Sequence, residues 1–155
     1  MSIPDSWKDH LGSWKGTYKL HRSWLEGDKK VVECKSSLHL DSDPRRAYAT
    51  LVYTWEVDGD QHEGTMLLCY SKKAKRMEIG WSDSWHQNTG VFFATGPEAD
   101  DGSFLCKGSY KAGDQTWGWT ISIAFAKDRL IVKMDNVEPG GKADWAVDSA
   151  YKRDA

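Results

Sequence analysis

Between residues 116 and 126 the chain alternates without a break. Trp117, Trp119, Ile121, Ile123 and Phe125 share one parity, and Gly118, Thr120, Ser122 and Ala124 the other. A period of two marks a strand with one buried face, because successive side chains of an extended backbone point to opposite sides. The same period recurs along most of the sequence. Residues 14–21 set Trp14, Gly16, Tyr18 and Leu20 against Lys15, Thr17, Lys19 and His21. Residues 30–40 set Val32, Cys34, Ser36, Leu38 and Leu40 against Val31, Glu33, Lys35, Ser37 and His39. Further strands are predicted over 46–57, 61–70, 76–85, 89–95, 103–110, 129–137 and 142–152. Turn formers separate them, among them Glu26-Gly27-Asp28, Asp41-Ser42-Asp43-Pro44, Asp58-Gly59-Asp60, Gly113-Asp114 and Pro139-Gly140-Gly141. Only residues 4–10, with Trp7 and Leu11 four apart, read as a short helical turn suited to plugging one end of a barrel.

About ten sequential strands with short turns and no long helical pattern make an all-β fold, an antiparallel up-and-down meander. Closing the meander into a barrel removes its exposed edges; a two-sheet sandwich would satisfy the same periodicity. A chain of 155 residues without repeats or linkers fits one domain over 1–155 with a single core.

The net charge is −2, with acids and bases interspersed, which gives no reason to expect nucleic acid or an anionic membrane as partner. No apolar run approaches the roughly 20 residues of a membrane helix. Met1-Ser2-Ile3-Pro4-Asp5 lacks the pattern of a signal peptide, so a cytoplasmic location is expected. Cys34, Cys69 and Cys106 are far apart, which favours reduced, buried thiols over disulfides or zinc. Nine tryptophans are many for this length. Indole joins a large apolar body to one N–H, which suits cores with a polar edge, interfaces and ligand pockets.

Gly12-x-Trp14 opens the first strand, and Arg153 lies just beyond the last. This pairing resembles the lipocalin and calycin signature. The resemblance implies that Trp14 packs at the closed end of a barrel with a basic side chain across it, a cation–π contact of about 0.5–2 kcal/mol. Gly12, Trp14 and Arg153 would then be structural. A fuller order of elements runs Gly12, Trp14 and Gly16, then Cys69-Tyr70, Gly80-Trp81-Ser82-Asp83-Ser84 and Tyr151-Lys152-Arg153. It resembles an uncharacterised bacterial lipocalin-like family, a domain of unknown function. That likeness implies a fold and no biochemistry.

The segment Trp81-Ser82-Asp83-Ser84-Trp85-His86-Gln87-Asn88 is the strongest functional candidate. Strand parity puts Trp81, Asp83 and Trp85 on one face; pointing inward, they would flank a carboxylate with two indoles, a combination suited to a ligand site. The competing reading is a turn in which Asp83 and Ser84 cap backbone N–H groups. His86 is suited to acid–base work with Asp83 at neutral pH, or is a surface residue at a strand end. Trp117 and Trp119 either belong to the core or line a cavity. Lys133 either faces inward toward an acidic ligand or is solvated. Barrels resembling nitrobindin hold haem through a late His; here none follows His86, and no cofactor is expected. His10, His21, His39 and His62 have no metal-ligand spacing, so no metal is expected.

Three functions follow as expectations. The leading one is non-covalent binding of a small apolar or amphipathic ligand in the barrel interior, with Trp81, Asp83, Trp85, Trp117 and Trp119 as contacts. The others are proton transfer by Asp83 and His86 on a small substrate, and an interaction module in which surplus tryptophan forms a homodimer.

Overall fold

The computed structural model describes residues 2–87 and 90–154. The ten strands are β1 (Gly12–His21), β2 (Val31–Ser42), β3 (Ala49–Val57), β4 (Asp60–Ser71), β5 (Arg76–Asp83), β6 (Phe92–Pro97), β7 (Phe104–Ala112), β8 (Gln115–Ala126), β9 (Arg129–Val137) and β10 (Ala143–Arg153). Each pairs antiparallel with its sequence neighbours, and β1 pairs with β10, so the meander closes into a barrel. The closing ladder runs from Trp14 opposite Arg153 to Leu20 opposite Val147. A Cβ on Gly16 would lie 1.9 Å from the Ala150 carbonyl oxygen, so only glycine lets the first and last strands approach this closely.

The expected inward faces form one continuous core. Trp14, Tyr18, Leu20, Leu38, Leu40, Met66, Leu68, Met77, Ile79, Trp81, Phe104, Cys106, Ile121 and Ile123 are all buried in it. In β8 the burial is uneven: Ile121 and Ile123 are enclosed, whereas Trp117, Trp119 and Phe125 are partly covered.

One end of the barrel is plugged. A 3₁₀ helix over Asp5–His10 enters it, and Trp7, wholly buried, meets Phe104 and Phe125 edge-on with centroids 5.8 and 5.3 Å apart. His10 stacks on Phe125 at 4.2 Å. The Trp14 indole N–H donates to the His10 carbonyl at 3.0 Å, and the Arg153 guanidinium carbon sits 5.1 Å from the Trp14 ring centroid. Gly12, Trp14 and Arg153 thus form a clasp at this end.

Several strand limits differ from those expected, each for a local reason. β3 starts at Ala49 rather than residue 46, because the Asp43 carboxylate accepts backbone N–H bonds from Arg45, Ala47 and Tyr48 and holds that stretch in a turn. Those bonds also lower the Asp43 pKa, the Tyr48 N–H foremost. The turn at Gly27–Lys29 is a second 3₁₀ segment. β6 begins at Phe92, and Asn88 and Thr89, where the candidate segment ends and a strand was expected to begin, lie outside the described residues. β10 carries a bulge between Trp145 and Val147. The bulge shifts the alternation, so Ala146 and Val147 are both buried while Trp145 turns out and stacks on His21 at 4.5 Å.

Candidate functional site

The functional candidates gather at the barrel end opposite the plug. β5 stops at Asp83, two residues before its expected limit. The Asp83 Oδ1 accepts the backbone N–H groups of Trp85 and His86 at 2.9 and 3.1 Å, and its carbonyl accepts that of Gln87 at 2.9 Å. This is the Asx-type turn that competes with strand extension. Ser84 ties the turn to β4: its Oγ accepts the Glu63 N–H at 3.2 Å and lies 2.9 Å from His62 Nδ1. Asp83 and Ser84 therefore do cap backbone groups, and Asp83 also points inward. Both sequence readings of this pair describe the same residue.

Asp83 is 1% exposed, and among the described residues no Lys, Arg or His forms an ion pair with it. Burying such a group is costly unless its oxygens are fully hydrogen-bonded. Its Oδ2 takes two further bonds, from the Tyr53 hydroxyl at 2.6 Å and the Trp55 indole N–H at 3.1 Å. The Tyr53 oxygen in turn accepts the Trp81 indole N–H at 2.9 Å. Tyr53 and Trp55 project inward from β3, and Trp81 from β5, with β4 between the two strands. The intervening position on β4 is Gly64, opposite both Tyr53 and Asp83. A Cβ there would fall 2.2 Å from the Tyr53 hydroxyl, so the missing side chain is what lets the phenol lie across β4 to reach Asp83.

Around this network the rings are layered. Tyr18 stacks on Trp55 at 4.7 Å, Trp55 on His86 at 5.7 Å, and Trp81 on Trp119 at 5.6 Å. His86 lies 5.3 Å from Trp81, and its Nε2 is 3.3 Å from the Tyr18 hydroxyl. Burial lowers the His86 pKa to about 4, against a smaller opposing pull from Asp83, so the ring is neutral at pH 7. Burial, above all, holds the Tyr18 and Tyr53 phenols well above their usual range, so both remain protonated. The Asp83 and His86 side chains share no direct hydrogen bond; the turn joins them through the His86 backbone N–H.

A cavity of about 160 Å³ adjoins this layer, lined by Trp81, His86, Gln87, Phe92, Tyr110 and Trp119. Two of the lining residues also hold buried atoms with no hydrogen-bond partner, the Trp119 indole N–H and Gln87 Oε1. The Tyr110 hydroxyl is occupied, donating to Asn136 Oδ1 at 2.7 Å. A recess of about 440 Å³ lies alongside, sharing His86, Gln87, Phe92 and Tyr110 and opening past Gly90, Val91, Phe93 and Ser109. It follows the weakest seam of the sheet. β6 and β7 pair only at Thr95 and Lys107, with an isolated bridge between Glu98 and Phe104, and leave Phe92 and Tyr110 without ladder partners across the seam. Deeper in, the gap bounded by Tyr18, Leu38, Tyr53, Val132, Met134, Val147, Ser149 and Tyr151 has no room for a water molecule.

Of the expected contacts, Trp81 and Trp119 line the cavity, and so does His86, the acid–base candidate. Asp83 lies behind them, fully engaged by its donors. Trp85 packs edge-on against Trp55 at 5.7 Å and stacks on the exposed Trp24 at 6.2 Å, outside the cavity lining. Trp117 sits half-buried opposite Tyr110 and does not line the cavity. Lys133 is exposed. Sequence reasoning missed Tyr53, Trp55 and Gly64, as well as Phe92 and Tyr110, and placed Gln87 in the candidate segment without giving it a role. Tyr53 and Trp55 carried a usable signal, since they share parity with Leu51 and Val57; Gly64 carried one too, as the small residue in the inward row that continues with Met66.

Among the described residues no group of three or more His, Cys, Asp or Glu is placed to hold a metal ion, and no helix is long and apolar enough to cross a membrane. The three cysteines are free thiols, but only Cys106 is buried, Cys34 and Cys69 being partly exposed; burial pushes Cys106 up to about 12.

No curated protein matches this chain. The barrel resembles the crystal structure of Rv2717c from M. tuberculosis, with a TM-score of 0.67 over 99% of this chain and 100% of that one. The two sequences are 12% identical, so the likeness concerns the fold alone. A family model, described as a protein of unknown function (DUF1579), matches residues 6–153. With nearly its whole length so matched, from the plugging helix to the Arg153 clasp, the chain belongs to the DUF1579 family.

Proposed function

We propose that the protein binds a small apolar or amphipathic molecule non-covalently at the end of the barrel opposite the plug, between Trp81, Trp119, Phe92, Tyr110, His86 and Gln87. The cavity of about 160 Å³ among these residues carries the proposal. A cavity of about 150 Å³ lined by apolar side chains is large enough for one aromatic ring. Walls that are mostly aromatic with a few placed polar groups are typical of small-molecule sites. The close packing farther inside favours this end over the barrel centre. Proton transfer by Asp83 and His86 has less support, because internal donors already occupy both Asp83 oxygens. The test is native mass spectrometry of freshly purified protein, together with titration of tryptophan emission by a panel of single-ring compounds. A bound small molecule, or a saturable emission change, is expected. A bare protein that answers no member of the panel overturns the proposal.

A second reading, a homodimer, is favoured by the outer face of β4–β7. There Leu67, Val91, Phe93 and Leu105 are exposed, Phe93 by 73%. Apolar clusters of this kind often mark contact surfaces. Sedimentation of the wild type and of Phe93→Ser tests it: a dimer that the substitution dissociates is expected, and a wild-type monomer at high concentration contradicts it.

A further inference from the structure

We propose that the outer face of β1, β10 and β9, at the plugged end of the barrel, binds a phosphate dianion, free or as the monoester of a small molecule. This site lies at the other end from the cavity and does not depend on it. The strand register carries the inference. Lys15 lies directly opposite Lys152, and Lys152 directly opposite Arg129. Three exposed cations thus stand side by side on three neighbouring strands. Like charges placed directly opposite each other across a sheet repel. Farther along the same strands the usual remedy is in place. There the row Glu33, Lys19, Asp148, Lys133 alternates in sign across β2, β1, β10 and β9, with Lys19 3.8 Å from Glu33. The Lys15 row lacks that alternation, because it ends in Ser37 on β2 and Ala126 on β8. Its relief comes from one side, where Asp154 pairs with Lys15 at 3.2 Å. Among the described residues neither Lys152 nor Arg129 forms an ion pair.

Between the two rows Thr17 and Ala150 face each other, and both are small. The result is a groove of about 260 Å³ lined by Lys15, Lys152 and Arg129 together with Thr17 and Ala150. With Lys15 matched by Asp154, two positive charges remain for an occupant. A carboxylate supplies one negative charge. A phosphate monoester carries about 1.5–2 at pH 7, with three strong acceptor oxygens. The planar fork of Arg129 suits two of those oxygens, and Lys152 adds a compact point charge. The Thr17 hydroxyl can donate to the third. The alternating row also sets the size of the occupant. A nucleic acid strand or an anionic membrane reaching past the groove would meet Glu33 and Asp148, so the positive strip serves one small anion.

The test is calorimetric titration of the full-length protein with inorganic phosphate, glycerol 3-phosphate and acetate at pH 7. Ionic strength is held constant with sodium chloride, because salt screens surface charges. At least one of the two phosphates is expected to bind saturably, about tenfold more tightly than acetate. The ratio of their affinities tells a site for the free ion from one for a phosphorylated molecule. Lys152→Gln and Arg129→Gln should each weaken that binding about fivefold, the upper range for an exposed charge pair. Lys133→Gln removes the same charge from the alternating row and should leave the affinity within about twofold. Acetate binding as tightly as phosphate overturns the proposal, as does the absence of saturable phosphate binding. So does an equal loss in Lys133→Gln and Lys152→Gln, which would trace the attraction to general surface charge. None of these outcomes bears on the cavity at the other end.

Discussion

Asp83 shows how one residue can satisfy two demands at once. Its Oδ1 ends β5 by capping the turn, and its Oδ2 gathers the Tyr53 and Trp55 donors inside the barrel. Gly64 makes that gathering possible, since any side chain there would strike the Tyr53 phenol. Gly64→Ala should therefore displace Tyr53 and cost about 1–3 kcal/mol, the range for overpacking a close-fitted site; urea unfolding of the two proteins side by side measures it, and equal midpoints would contradict the account. His86 makes a different prediction. Its pKa is about 4 in the folded protein against the ordinary value of 6.5. Between those pH values the unfolded chain binds a proton that the folded protein refuses, so stability is complete above pH 6.5 and declines as the pH falls toward 4. At 1.36 kcal/mol per unit the full window is worth about 3 kcal/mol. Unfolding free energies at pH 7 and pH 4.5 should differ by less in His86→Phe than in the wild type. An unchanged pH dependence would mean that other groups carry it.

At the scale of elements, the two barrel ends divide the work. The plug end is held by the Asp5–His10 helix, Trp7 beneath it, and the Trp14–Arg153 clasp that joins β1 to β10. The other end holds the buried polar network, the cavity and the weakly paired seam between β6 and β7. Arg153 itself is exposed, so its contact with Trp14 belongs at the low end for cation–π pairs, about 0.5–1 kcal/mol. Most of what Trp14 contributes is burial. Trp14→Ala should cost about 3–5 kcal/mol, seen as a lowered melting temperature, while the affinity of a ligand bound at the other end stays within about twofold below the transition. A melting temperature equal to that of the wild type would remove Trp14 from this role.

At the scale of the molecule, one uninterrupted core runs from the plug to the aromatic layer. A barrel closed by pairing its first and last strands has no part that unfolds without opening an edge. Far-UV circular dichroism and tryptophan emission should therefore report coincident urea transitions; separated midpoints would reveal a subdomain. The sequence alone determined much of this. Alternation in β1, β2, β4, β5 and β8 marked which residues face inward, because strand period is a local property of the chain, whereas the closure at Gly12, Trp14 and Arg153 was legible only through the resemblance to a known signature. Tertiary structure decided the rest. The carboxylate of Asp83 meets Tyr53 and Trp55 across an intervening strand, and the vacancy that allows it, at Gly64, is a feature of register. The cavity joins Trp81 to Gln87, Phe92, Tyr110 and Trp119, drawn from one turn and four strands. Trp117 shares the parity of Trp119 but stays outside the lining, because position along the barrel axis, not parity, decides which indole reaches the cavity. Such contacts depend on strand register and barrel closure, which bring together residues that no period in the sequence connects.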